Sequence, residues 1–173
     1  LYRAHKEKRE NFDEIFSRVS GTIIEQIDSL SRIATEFSNF AKMPKGNYDR
    51  VDLVRSLQSN IDLYSETDGI QILFNNRAGE DALVNGDYEQ LLRVFTNLIK
   101  NAIQAIPENR AGKVAIELIK KDKNYKITIS DNGSGISEEA QSKIFTPNFT
   151  TKTAGTGLGL AMVKSILENM GGK

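Results

Sequence analysis

Asn97-Leu98-Ile99-Lys100-Asn101-Ala102 lies inside Tyr88–Ile106, and how this stretch is read decides the fold. Leu91, Phe95, Leu98, Ala102 and Ala105 recur at helical spacing and predict one apolar stripe. Asp87 is the predicted N-cap, and Pro107 ends the helix. Asn97, Asn101 and Gln104 make a second stripe at i, i+4 and i+7, so three amides share a face. Amides stacked this way can offer carbonyl oxygens to a hard cation such as Mg²⁺. A solvated polar face has the same spacing, so the helix alone assigns no chemistry.

On the C-terminal side, Val114–Ile119 and Tyr125–Ile129 alternate with period two, with Lys121-Asp122-Lys123-Asn124 as the hairpin turn region. Asp131-Asn132-Gly133-Ser134-Gly135-Ile136 follows directly. Two glycines let backbone approach a planar ligand and adopt positive φ. A carboxylate at the strand end only accepts hydrogen bonds, which suits an amino group such as that of adenine. An Asp-capped turn is the plainer alternative. A short helix is expected near Ser137–Ile144. Gly155-Thr156-Gly157-Leu158-Gly159-Leu160 then opens the last helix, Gly157–Met170. Glycine-rich backbone at a helix N-terminus offers amides and a positive dipole end to phosphate. It is neither the dinucleotide fingerprint, since its third glycine is one residue early, nor a P-loop. Tight packing on a strand through small residues is the plainer alternative here. The glycine-punctuated Ser130–Gly155 stretch is long for a structureless connection and reads as a functional loop.

On the N-terminal side, Tyr48–Asp52, Ile70–Phe74 and Ala82–Asn85 read as strands. Leu53–Tyr64 is an amphipathic helix with Leu53, Leu57, Ile61 and Tyr64 on one face. Further upstream, Phe12, Phe16, Val19, Ile23, Leu30, Ile33, Phe37 and Phe40 follow a heptad seam, with Gln26 at its one polar position. Ile15, Ile27, Ala34 and Ala41 widen it as a helical bundle requires. Leu1–Arg9 reads as the end of a preceding helix, Glu10-Asn11 as its turn, and Asn11 as the next N-cap. Pro44 stops the long helix, and Lys45-Gly46-Asn47 reads as a linker. The fold class is therefore α+β: a two-layer sandwich with a mixed, mostly antiparallel sheet, preceded by a long bundle helix that seeks a partner and predicts a dimer. The division is 1–44 for the helical segment and 45–173 for the sandwich domain.

Composition narrows the function. The chain has 173 residues, no cysteine and one histidine. That excludes a disulfide framework, a thiolate or multi-histidine metal site and a cysteine nucleophile. Lys plus Arg equals Asp plus Glu at 23 each, with no basic excess for nucleic acid. No apolar run reaches the ~18 residues of a membrane span, and no signal sequence opens the chain. The ends at Leu1 and Gly171-Gly172-Lys173 suggest a piece of a longer protein.

Taken in order, the asparagine helix, Asp-x-Gly-x-Gly and Gly-x-Gly-x-Gly, with Phe145 and Phe149 between the last two, resemble the Bergerat ATP-binding fold. Sensor histidine kinases, type II topoisomerase ATPase subunits, ninety-kilodalton heat-shock chaperones and mismatch-repair ATPases share that fold. The resemblance runs from about Asp49 to the C-terminus. The ATPases of this superfamily carry a water-activating Glu one turn before the magnesium Asn. Here that position is Asn97, and an amide cannot act as a general base. Phosphoryl transfer to another nucleophile is therefore expected, as in the histidine-kinase branch. Glu89 lies twelve residues before Asn101 and is badly placed to replace it. An ATPase-driven clamp or a catalytically silent nucleotide-binding or dimerisation module of the same superfamily is the alternative. A serine kinase of the anti-sigma type would not need the long helix.

Ile24–Asp28 and Glu36-Phe37-Ser38-Asn39-Phe40-Ala41-Lys42-Met43-Pro44 are similar to the second helix of the dimerisation and phosphotransfer hairpin in nitrogen-regulation sensor kinases. That family's acceptor His sits in a His-Glu-x-x-Asn-Pro setting. His5 is followed by Lys6-Glu7-Lys8-Arg9 and departs from it, so the acceptor is expected upstream of Leu1.

The resemblance implies ATP and Mg²⁺ as ligands. Asn101 would hold Mg²⁺, and Asn97 would support phosphate or metal. Asp131 would bond the adenine amino group, with Gly133, Gly135 and Ile136 shaping the pocket. Lys152, and more weakly Lys100, would meet phosphate. Gly155, Thr156, Gly157, Leu158, Gly159 and Leu160 would fold the lid back and present helix amides. The resemblance further implies a homodimer through the N-terminal helix, a response-regulator partner, a cytoplasmic location without membrane contact by these residues, and a further strand hairpin beyond Lys173 that this chain lacks. The sequons Asn132-Gly133-Ser134 and Asn148-Phe149-Thr150 are read as coincidence.

Overall fold

The computed structural model describes residues 12–41, 46–152 and 155–173. The chain runs α1 (Phe12–Ala41), β1 (Asp49–Asp52), α2 (Leu53–Asp62), β2 (Ile70–Arg77), β3 (Leu83–Gly86), α3 (Tyr88–Gln104), β4 (Gly112–Lys121), β5 (Asn124–Asp131), α4 (Glu138–Gln141) and α5 (Gly159–Asn169). Among the described residues element type agrees with the sequence reading, and bounds differ by a few residues at the ends. The proposed N-cap Asn11, the Leu1–Arg9 segment with His5, and Pro44-Lys45 lie outside the described residues.

The main sheet has the order β2-β4-β5. β2 runs parallel to β4, and β5 antiparallel to it. β1 and β3 form a separate antiparallel pair. Hydrophobic alternation sets the facing. Val114, Ile116 and Leu118 of β4 are buried. In register beside them stand Ile72 and Phe74 on one side and Ile129 and Ile127 on the other. Each of these neighbours packs on the core. The inward row is thus continuous across three strands, which is the period-two pattern made into a surface.

That surface is covered by helices. α3 touches both β4 and β5, and also α2 and α5. Its buried residues are Gln90, Leu91, Val94, Phe95, Ile99 and Ala102. The apolar face is therefore wider than the predicted stripe, centred on Val94 and Ile99 as well as Leu91 and Phe95. A helix flanked by two helices and a sheet must bury more than one ridge.

Polar groups fix how the helices meet. Thr96 on α3 donates its hydroxyl to Asn60 Oδ1 on α2 at 2.6 Å. The buried Asn60 amide donates to the Ser56 carbonyl at 3.2 Å. Asp52 caps α2, accepting from the amides of Val54 and Arg55. Asp87 caps α3 through Gln90 N at 3.0 Å. Its other oxygen accepts from Asn47 N at 2.7 Å, so the segment leading out of α1 is tied to the start of α3.

α1 is one continuous helix of 30 residues. Phe16, Ile23, Ile24, Ile27, Leu30, Ile33 and Phe37 are exposed along it. No helix among the described residues is long and apolar enough to cross a membrane.

Candidate functional site

The site forms where the C-terminal half of α3, the loop after β5 and the loop before α5 converge. The loop after β5 is held from three sides. Gly133 N donates to Asp131 Oδ1 at 2.9 Å, and Ser134 N donates to the Ala105 carbonyl at 2.9 Å. Arg110 places its guanidinium on the carbonyls of Asn132 and Gly133. The Asn132 side chain accepts from Lys113 N at 2.8 Å and donates to the Ala111 carbonyl at 2.9 Å. Gly133 is required: a Cβ there would lie 2.5 Å from the Ala105 carbonyl oxygen. Gly135 has φ +74°, the region glycine tolerates. Asp131 thus spends one oxygen on its own loop. Its other oxygen accepts no hydrogen bond among the described residues. Ile136 is about half exposed beside it.

The loop before α5 closes at its neck. Asn148 N donates to the Gly157 carbonyl at 3.1 Å. Gly157 has φ +69°, and a Cβ there would sit 2.5 Å from Asn148 backbone carbon. Thr150 Oγ1 accepts from Lys152 N at 3.1 Å, and Gly155 N donates to the Lys152 carbonyl at 3.1 Å. Gly155 sits so close to Thr150 Oγ1 that a Cβ has no room. Leu158 is buried and caps α5 without a side-chain bond. The helix begins at Gly159, two residues later than the expected start at Gly157, because Gly157 is left-handed and cannot join it. Thr156 and Leu160 are half-buried at this junction.

α3 contributes its amide stripe. Asn97 donates to the Arg93 carbonyl at 2.8 Å, and its Oδ1 faces Gly159, where a Cβ would come within 2.6 Å. Asn101 Oδ1 accepts from Lys152 Nζ at 3.0 Å, and Gln104 Oε1 accepts from the same ammonium at 2.9 Å. Partial burial lowers the Lys152 pKa below the ordinary lysine value; Lys100 lowers it further and Asp131 opposes both. Lys100 is exposed on the outer side of α3.

The predicted residues therefore fall in two groups that meet at α3. Asn97 joins the glycines at the start of α5, and Asn101 joins Lys152, within the electrostatic reach of Lys100 and Asp131. Gln104, Arg110, Asn132 and Thr150 were not among the predicted site residues. Gln104 had a signal, its place on the amide stripe. The other three act through backbone carbonyls and a turn hydroxyl, which leave no motif. A separate shallow cleft lined by Asp49, Arg50, Arg55, Asp87 and Glu89 lies at the other end of α3. Among the described residues no group of three or more His, Cys, Asp or Glu side chains could hold a metal.

Residues 86–173, which contain all three motifs, match the family described as histidine kinase-, DNA gyrase B- and HSP90-like ATPases. The chain belongs to this family. Within this ATPase family its likeness is to sensor kinases. The nitrogen regulation protein NtrY of Azorhizobium caulinodans is 32% identical over 164 residues, covering 92% of this chain and 21% of NtrY. The chain thus spans about a fifth of that relative's length. The nucleotide-free catalytic domain of histidine kinase ThkA superposes with a TM-score of 0.65 at 33% identity, covering 72% of this chain and 82% of that domain. ThkA in complex with the response regulator TrrA shares the fold, with a TM-score of 0.68 at 23% identity over 98% of this chain and 58% of the kinase. The chain carries a histidine-kinase-type ATP-binding domain.

Proposed function

We propose that this chain is the catalytic core of a two-component sensor histidine kinase. It binds Mg-ATP and passes the γ-phosphoryl group to a histidine on the upstream helix of a dimerisation hairpin, for relay to an aspartate on a response regulator. Residues 1–44 serve as the partial hairpin and 45–173 as the ATP-binding domain. The exposed apolar ridge of α1 supports homodimerisation, since a helix this apolar on one face is covered in the working molecule. The response regulator rests on analogy with ThkA, which is solved with one.

The observation that carries the kinase reading is the position of the one carboxylate on α3. Glu89 is the sole acidic residue in that helix, about 18 Å along the axis from Asn101 at 1.5 Å per residue. The residue one turn before Asn101 is Asn97, whose amide is committed to the Arg93 carbonyl and the start of α5. Neither can draw a proton from water beside the phosphates, so water is poorly activated and a positioned histidine is the better nucleophile.

The other roles follow the contacts. The open oxygen of Asp131 accepts from the adenine amino group. The first-turn amides of α5 face phosphate oxygens. Asn101 Oδ1 and Gln104 Oε1 already accept from a cation, so this donor set fits Mg²⁺, a hard ion that takes oxygen ligands. When bound, Mg²⁺ neutralises phosphate charge; the chain's own contribution is positioning and oriented dipoles.

The test is incubation of the full-length protein with Mg²⁺ and γ-labelled ATP. Acid-labile, base-stable label on the protein establishes the kinase. Free phosphate without protein label establishes hydrolysis and refutes the inference from Asn97.

A further inference from the structure

Lys152 does something the nucleotide reading does not ask of it. Its ammonium is gripped by two amide oxygens from successive positions of the α3 stripe, Asn101 Oδ1 at 3.0 Å and Gln104 Oε1 at 2.9 Å. The backbone of Lys152 is fixed independently. Thr150 Oγ1 accepts from its amide, and its carbonyl accepts from Gly155 N. The neck of the loop is closed by Asn148 and Gly157. The lysine is thus built into a turn that delivers its side chain to α3.

We infer that Asn101 and Gln104 form a two-oxygen cation cradle, and that the Lys152 ammonium and the nucleotide's Mg²⁺ occupy it in alternation. Gln104 is thereby a second cation-facing residue of the site. The inference rests on the nucleotide reading above and deepens it.

The physical argument is competition for lone pairs. An amide oxygen turned to an ammonium at hydrogen-bond distance is blocked to a divalent ion, which needs oxygens at about 2.1 Å. Two positive charges cannot share the cradle without strong repulsion. Metal loading therefore has to expel the lysine, and the freed ammonium is then available to phosphate oxygens. The contact ties the loop before α5 to α3 while the nucleotide is away. Binding of the metal nucleotide releases it. Neutral amides suit this exchange better than carboxylates, which would hold the ammonium as an ion pair and compete with phosphate for the metal.

The experiment follows the side-chain amide NMR signals of the ¹⁵N-labelled chain, first without nucleotide. Lys152→Met is expected to shift the Asn101 and Gln104 pairs together, and Lys152→Arg to shift them less. Mg²⁺ is then titrated into the ADP-saturated chain. In Lys152→Met the Mg²⁺ midpoint is expected to fall about ten-fold, the low end for one hydrogen bond to a charged group. A Gln104 signal that ignores Lys152→Met overturns the cradle. An unchanged Mg²⁺ midpoint overturns the competition. If ADP fails to bind at all, the nucleotide reading falls and the exchange falls with it, while the Gln104 shift still reports whether the cradle holds lysine.

Discussion

Asn97 Oδ1 faces Gly159 so closely that a Cβ on residue 159 would lie 2.6 Å from it. One amide thereby reads the absence of a side chain at the first position of α5, and the asparagine helix is locked to the glycine-rich turn. Gly159→Ala should push Asn97 off its bond to the Arg93 carbonyl. The helical gain of Ala over Gly, about 1 kcal/mol, offsets the lost hydrogen bond, also about 1 kcal/mol. Thermal unfolding is therefore expected to stay near wild type while ATP affinity falls about ten-fold, a factor worth ~1.4 kcal/mol. Calorimetric titration beside a melting curve checks this, and undiminished affinity would show that the two groups need not touch.

Asp131 divides its carboxylate between its loop and an open face. Asp131→Asn can keep the bond from Gly133 N through its remaining oxygen. Its new NH₂ group would then face another donor, the adenine amino group. A hydrogen bond to a charged group is worth about 1.5–3 kcal/mol, so ATP affinity should drop about ten- to hundred-fold. Tripolyphosphate, which lacks the base, should bind both proteins alike. Equal losses for the two ligands would move Asp131 away from the adenine end.

Arg110 is an exposed residue with a positional task. Its guanidinium spans the carbonyls of Asn132 and Gly133. Arg110→Met should loosen the loop and weaken ATP several-fold with little change in melting temperature, because the loop adds nothing to the core. Amide exchange across 131–135 should quicken in the same variant. Unaltered exchange would mean that Asn132 holds the loop without help.

The sequence carries the fold where periodicity is strong. β4 and β5 alternate cleanly; the inward residues of β4 become buried, and Tyr125, Ile127 and Ile129 of β5 pack partly buried on the core. α3 is announced by Asp87 and by two stripes. Legibility fails where contacts are made by backbone. Nothing in Arg110-Ala111-Gly112 distinguishes a guanidinium that grips two carbonyls from a solvated one. The width of the α3 apolar face was hidden too, because it depends on α2 and α5 both arriving at one helix. Lys152 was legible only as a residue near phosphate. Its grip on Asn101 and Gln104 spans about fifty positions, and no local pattern encodes it.

Asp87 is nearly buried and satisfies two amides from different segments, Gln90 N and Asn47 N. Asp87→Ala removes a helix cap and frees the segment leading from α1. Loss of an N-cap costs about 0.5–2 kcal/mol, and here the second amide is stranded as well. Urea unfolding should show a loss of about 2 kcal/mol, with Asp87→Asn recovering much of it. A loss below that of a surface substitution would mean that neither the cap nor the Asn47 contact contributes in solution.

Tyr64 links the stability of the helix layer to alkaline pH through its burial. It follows α2 and packs partly buried on the core. Burial raises its pKa above the ordinary value, because the phenolate loses hydration there. The folded state then holds its proton at pH values where the unfolded chain, with an ordinary tyrosine pKa of about 10, has released it. The contribution to stability is full below the unfolded pKa and is lost as pH rises through the folded one. Stability should therefore decline with pH from about 10 upward. Tyr64→Phe cannot ionise, and it is expected to make that decline shallower while leaving stability at neutral pH nearly unchanged. Denaturation midpoints measured at neutral pH and in the alkaline range for both proteins decide the matter. Parallel declines would assign the alkaline sensitivity to other tyrosines or to the lysines.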